Sequence, residues 1–137
     1  MRRNGKRLSV VLGAVMLAFA GRAAAQTAPA TPTFTKDIAP ILQRSCQTCH
    51  RPGMMAPMAL LTYQDARPWA RSIKNKVSNR EMPPWFIDRN IGIQKFKNDP
   101  SLSAQEIATI AKWADTGAVR GNPDDMPPLR SWTNGNS

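Results

Sequence analysis

The amino-acid sequence predicts an all-α fold of three main helices joined by long loops, and three observations lead to it. Apolar residues recur at helical spacing in three segments, each opened by a helix-start signal. No segment alternates apolar with polar residues, or gathers β-branched ones, as a strand requires. Twelve prolines, all beyond residue 25, interrupt the chain about once in nine residues, too often for helices to fill it.

In chain order, residues 1–25 read as a cleaved export signal. Arg2, Arg3, Lys6 and Arg7 precede an uncharged stretch from Leu8 to Ala20, and Ala23-Ala24-Ala25 offers small residues for the peptidase. That stretch makes a helix of about 20 Å against a hydrocarbon core of about 30 Å, so no stable membrane anchor is expected. Residues 26–33, of Ala, Pro, Thr and one Gln, read as a disordered leader. One domain, residues 34–128, follows, and 129–137 form a flexible tail; a chain of this size buries a single core.

Asp37-Ile38-Ala39-Pro40 opens the first helix, with Asp37 as N-cap, Pro40 in the first turn, and Ile38, Ile41 and Leu42 facing inward. Asp65-Ala66-Arg67-Pro68 repeats the device, and Ala66, Ala70, Ile73 and Val77 form one stripe of a helix running to about Asn79. Arg67, Arg71 and Lys74 share a neighbouring face and read as solvated surface. The third helix starts at a capping box of Ser103 and Glu106, turns Ile107, Ile110, Trp113 and Ala114 inward, and stops at Gly117. The first and last helices are expected to cross through Ile38, Leu42, Ile107, Ile110 and Trp113. Between the second and third helices, Arg80 to Leu102 has no period of its own, and so long a loop in a compact domain is usually functional.

Charge narrows the function. Five of the 19 Lys and Arg residues lie in the signal and none of the nine acids does, leaving 14 against 9, or +5, after cleavage. That balance does not suggest a nucleic-acid binder; it suits a partner that is acidic where it docks.

Cys46-Gln47-Thr48-Cys49-His50 carries the chemistry. Two thiols at this spacing can each form a thioether to one vinyl group of a haem, and His50 is then placed under the iron as its proximal ligand. The pentapeptide uses both cysteines and the sole histidine of the chain. A structural zinc site needs four ligands, and only three are present within these five residues. A redox Cys-x-x-Cys belongs in a βαβ context, and a plain disulfide leaves His50 unexplained. The expected cofactor is one covalent haem c.

With no second histidine, the sixth iron ligand is expected to be methionine, whose soft thioether favours Fe(II). Met54, Met55 and Met58 follow His50 too closely to return on the other face of a porphyrin and are assigned to packing. Met82, in Met82-Pro83-Pro84-Trp85, is held in a stiff segment after the middle helix and is preferred. Met126-Pro127-Pro128 repeats that chemistry and reads as a clasp for the tail. Trp69, Trp85, Phe86, Ile91, Ile93 and Phe96 are candidates for the wall of the haem pocket.

The order of a helix entering Cys-x-x-Cys-His, a middle helix, a Met-Pro loop and an aromatic-bearing last helix resembles class I cytochrome c. Cys49-His50-Arg51-Pro52-Gly53, Ala56-Pro57-Met58, Leu61-Thr62-Tyr63, Ala66-Arg67-Pro68-Trp69 and Met82-Pro83-Pro84-Trp85 resemble, more closely, a small cytochrome domain of secreted proteins of environmental bacteria. There it stands alone or is joined to oxidoreductase domains, some similar to copper monooxygenases. The resemblance covers about Phe34 to Pro128 and implies a class I fold around one haem, with Cys46, Cys49 and His50 as haem residues and Met82 as axial ligand. It departs from larger members in the short separation of His50 and Met82. It also implies that a proline carbonyl, of Pro57 or Pro52, accepts the other N–H of His50.

The expected function is that of a periplasmic single-electron carrier, matured by the haem-attachment machinery and serving redox partner proteins, rather than an enzyme. A haem enzyme or gas-binding protein with an open sixth position is the rival; for a peroxidase the chain lacks a distal histidine. A dedicated electron-transfer subunit of a periplasmic oxidoreductase would share the site and differ in its partner.

Overall fold

The computed structural model describes residues 31–132 apart from 86, 89, 94 and 95. The expected signal, most of the leader, Phe86 and the last five residues of the tail lie outside the described residues. Among those described, the chain is helical, with no strand. A π-helical turn, Phe34–Ile38, runs into α1, Ala39–Ser45. Next come α2, Tyr63–Ala66, a 3₁₀ turn, Arg67–Trp69, and α3, Ala70–Ser78, which together form the middle helix. The last is α4, Ala104–Asp115, followed by a 3₁₀ turn at Pro123–Asp125. No described helix is long and apolar enough to cross a membrane.

Both Asp-x-x-Pro segments start earlier than their sequence suggests, for one reason. Asp37 is not the N-cap: its carboxylate reaches back to accept from the backbone N–H of Thr33 at 2.7 Å. Likewise Asp65 accepts from Thr62 N–H at 2.9 Å while the Thr62 hydroxyl accepts from Asp65 N–H at 3.1 Å, a complete capping box. The threonines mark the boundaries, and each proline falls later, where the helix cannot use the missing N–H in the regular pattern. Before Pro40 the turn widens to π, with Ala39 N–H bonded to Phe34 O; at Pro68 it tightens to 3₁₀.

The predicted stripes are buried except at Ile107 and Ala114, which are partly buried against the core. Ala66, Ala70, Ile73 and Val77 of the middle helix meet Ile110 and Trp113 of α4, both fully buried. Lys74 ties the same two helices at the surface, donating to Asp115 at 2.6 Å. α4 therefore packs chiefly on α3, and its contact with the first helix is centred on the π turn. Phe34 explains that contact: its ring lies edge-on to Tyr63, with centroids 5.5 Å apart, and 6.2 Å from Trp113. It is the hub where all three helices meet.

α4 begins and ends as read. Ser103 and Glu106 form the capping box. At the other end Gly117, at φ +96°, lets Ala118 N–H reach Trp113 O at 2.8 Å in the Schellman arrangement. The chain then returns to the first helix: Phe34 N–H donates to Val119 O and Thr35 N–H to Arg120 O, both at 2.9 Å, supplying acceptors the helix start lacks. Gly121 makes this approach possible. It sits at φ +86°, and a Cβ there would lie 2.5 Å from Thr35 Oγ1 and 2.6 Å from Thr33 Cβ. Gly121→Ala is expected to destabilise the protein by about 2–4 kcal/mol through strain and overlap together, read as a lowered urea midpoint; Gly53→Ala, with open space around it, should cost only the strain of its φ.

Glu106 also joins α4 to the end of α1, where Arg44 Nη1 donates to it at 2.6 Å and Arg44 Nη2 donates to Ser101 O at 3.3 Å. Burial raises the Glu106 carboxyl, but the hydrogen bonds from Arg44 and Ser103 outweigh burial and hold it below the usual range. A lowered carboxyl pKa contributes stability above the unfolded value, near 4.3, that is lost as pH falls through the folded one. Glu106→Gln is therefore expected to cost about 1 kcal/mol at neutral pH and much less at a pH acid enough to protonate the folded carboxyl, measured as the difference in urea midpoints at the two pH values.

Candidate functional site

The first helix leads directly into the site. Beyond Ser45 the chain makes one more helical turn: Cys46 and Gln47 both donate their N–H to Leu42 O at 2.9 Å, then Cys49 and His50 donate to Cys46 O at 3.1 and 2.9 Å. Cys46, Cys49 and His50 are thus carried on a continuation of α1. Residues 51–59 fold back beneath them. Leu60 N–H donates to His50 O at 3.0 Å, and the buried Gln47 amide donates to Leu60 O at 2.9 Å, so both ends of the loop are tied.

That closure orients the histidine. His50 Nδ1 lies 3.1 Å from the carbonyl oxygen of Met58. A carbonyl can only accept, so Nδ1 carries the proton and Nε2 keeps its lone pair for a metal. The acceptor is neither Pro57 nor Pro52. Ala56 N–H is already bonded back to Cys49 O at 3.3 Å, and the chain from there to Leu60 presents Met58 O at the ring.

Cys46, Cys49 and His50 line a cavity of 840 Å³ whose other walls include Met82, Pro83, Pro84 and Trp85, together with Arg130 from the tail. This size lies within the range of about 300–1,000 Å³ usual for cofactor and ligand sites. Burial pushes the Cys46 thiol up to about 12, against the opposing pull of Arg44, so it is held protonated. Neither cysteine is in a disulfide.

The two Met-Pro-Pro segments part company. Met82 is 38% exposed and faces the cavity, where the Met82–Pro83 peptide bond is cis. Met126 packs against the hydrophobic core and is absent from the cavity lining, as its reading as a clasp anticipates. Of the three methionines after His50, Met55 lies at the cavity mouth, 84% exposed, Met54 is outside, and Met58 packs on the core.

The expected aromatic and aliphatic wall is smaller than the sequence suggested. Trp85 lines the cavity, and Phe96 packs edge-on against it with centroids 6.3 Å apart. Trp69, Ile91 and Ile93 are exposed and line no part of it. Trp69 falls on the outer side of the 3₁₀ turn, and the two isoleucines project from the long loop. A second space of 450 Å³ lies behind the same segment, between Met82, Pro83 and Trp85 on one side and Val77, Leu102 and Ile107 on the other.

The donor set fits a haem better than a bare ion. Among the described residues no three His, Cys, Asp or Glu side chains converge on a metal position. A porphyrin brings four nitrogens of its own and asks the protein only for axial ligands and, in the c type, two thiols. One imidazole with a free Nε2, one thioether and two free cysteines around a single cavity supply that set. Comparison with family models, with curated proteins and with solved structures returns no match.

Proposed function

We propose that the chain is an exported single-electron carrier with one covalent haem c, attached through Cys46 and Cys49 and ligated by His50 and Met82. One observation carries the reading: the residues of the Cys-x-x-Cys-His motif and Met82, remote from them in sequence, line the same cavity. The haem supplies an iron that alternates between Fe(III) and Fe(II). His50 and Met82 would hold the iron through that change, which would keep rearrangement small. The His50–Met58 hydrogen bond would fix the ring as a ligand, and the wall at Pro83, Pro84 and Trp85 would limit water at the iron.

The signal-like residues 1–25 support export to the periplasm, an oxidising compartment that suits this attachment chemistry. Partners are expected to be redox proteins that are acidic where they dock, and the haem-attachment machinery is needed for maturation. The test is voltammetry of holoprotein made with that machinery, together with carbon monoxide binding by its reduced form. A reversible one-electron wave and a haem closed to carbon monoxide support the carrier. Ready binding of carbon monoxide, with turnover of peroxide, would replace it with the open-site enzyme.

A further inference from the structure

The described part of the tail is held in place where a flexible segment was expected. Gln43 Nε2 donates to Pro128 O at 3.1 Å, and Arg130 Nη1 donates to Gln43 O at 2.6 Å, so the strand of chain after Met126 lies along α1. Trp132 completes the attachment as a platform for two cations. The guanidinium carbon of Arg130 is 4.4 Å from its ring centroid and that of Arg51 is 4.6 Å away.

This arrangement is electrostatically incomplete. Two like charges share one indole, and among the described residues neither Arg51 nor Arg130 is ion-paired. Arg51 Nε is moreover buried without any hydrogen-bond partner, the one such side-chain atom among those described; Arg51 does not itself line the cavity, and Arg130 does. A buried donor left unmade is costly, and such atoms in native structures call for a reason. Arg44, the other arginine of the cavity wall, is already neutralised by Glu106. Arg130 therefore brings to the cavity of Cys46, Cys49 and His50 a cation with no counter-ion.

The missing component is an anion with planar acceptors, and on the reading proposed above the cofactor carries two carboxylates. We propose that the Arg51–Trp132–Arg130 stack is the carboxylate anchor of the haem, with Arg130 in direct contact and Arg51 reinforcing it across the indole. The guanidinium fork matches a carboxylate in two-point geometry. Stacking on the indole holds the fork flat and partly desolvated before the anion arrives. Residues 128–132 thereby act as a strap beside the cofactor, with Arg130 a binding residue and Arg51 a positioning residue.

Resonance Raman spectroscopy of the isolated oxidised holoprotein tests this through the propionate bending band, which rises in frequency when the haem carboxylates accept hydrogen bonds. The wild-type band is expected in the bonded position. Arg130→Gln should shift it down and lower the reduction potential, because removing a cation beside the haem favours Fe(III). Arg130→Lys should recover most of the potential but only part of the band shift, and Arg51→Gln should give a smaller shift than Arg130→Gln. Trp132→Leu, which keeps both cations and removes their platform, should also lower the band. A wild-type band in the unbonded position overturns the proposal, as it would if the stack awaited a carboxylate from an acidic partner instead. So does a band unchanged in Arg130→Gln; if that variant accumulates no holoprotein, an unchanged band in both Arg130→Lys and Trp132→Leu overturns it equally. Wild type that carries no covalent haem would remove the carrier reading itself, an outcome distinct from an unshifted band on attached haem.

Discussion

Replacing Cys46 and Cys49 together by alanine is expected to abolish covalent haem. Wild-type protein from a host with the attachment machinery should keep its colour through acid-acetone extraction and denaturing electrophoresis, and the double variant should lose the haem stain almost completely. Each single variant should keep haem through its remaining thioether, with the absorption bands displaced because one vinyl group stays unsaturated. The prediction rests on the turn that carries both cysteines and His50 into one cavity. Haem that can be extracted freely from wild type would sink the central claim.

Met82→Ala is expected to produce the second large effect. The oxidised wild type should show the weak near-infrared charge-transfer band of a sulfur–iron bond, and the variant should lack it. The potential should fall by on the order of 0.1 V, a fraction of the roughly 0.8 V that axial ligands span, because Fe(II) loses its soft ligand. The reduced variant should bind carbon monoxide. Met126→Ala should change none of these, since its side chain packs on the core, and should act only on stability, by about 2–3 kcal/mol at most for a partly buried methionine. Loss of the band in Met126→Ala with its retention in Met82→Ala would reverse the ligand assignment.

The helices were legible where periodicity and capping agreed. α4 is the clearest case, since Ser103, Glu106, Ile110, Trp113 and Gly117 all have the roles their spacing implies. The stripe from Ala66 to Val77 was equally plain. Boundaries failed at Asp37 and Asp65 because an acid near a helix start can either cap or reach back, and composition alone favoured the cap. The available signal was a threonine three or four residues before each acid. Phe34 was hidden for a different reason: its partners Tyr63 and Trp113 are distant in sequence, and no local pattern announces a three-way contact. The same limit applies to the site. Cys46, Cys49 and His50 are a local motif, so spacing revealed them. The Met58 carbonyl is a backbone group with no residue signature. Arg130 and Trp132 lie in a stretch whose prolines and polar residues look like a tail, and only the bonds to Gln43 disclose their engagement.

The 450 Å³ space behind Met82 gives the expected sulfur ligand a compliant mounting. A side chain seated on a close-packed core moves only when the core does; one suspended between two spaces can swing or retract by rotating a few bonds of its own loop. Heating or denaturant should therefore detach the sulfur from iron before the helices melt, so that the near-infrared band fades at a lower denaturant concentration than the helical circular dichroism. The thioethers and the tied His50 would retain the haem throughout, and the detachment would reverse on dilution. Filling the space from the far side, with Val77→Ile or Ala104→Leu, is the corresponding way to stiffen the mounting, and it should bring the two transitions together.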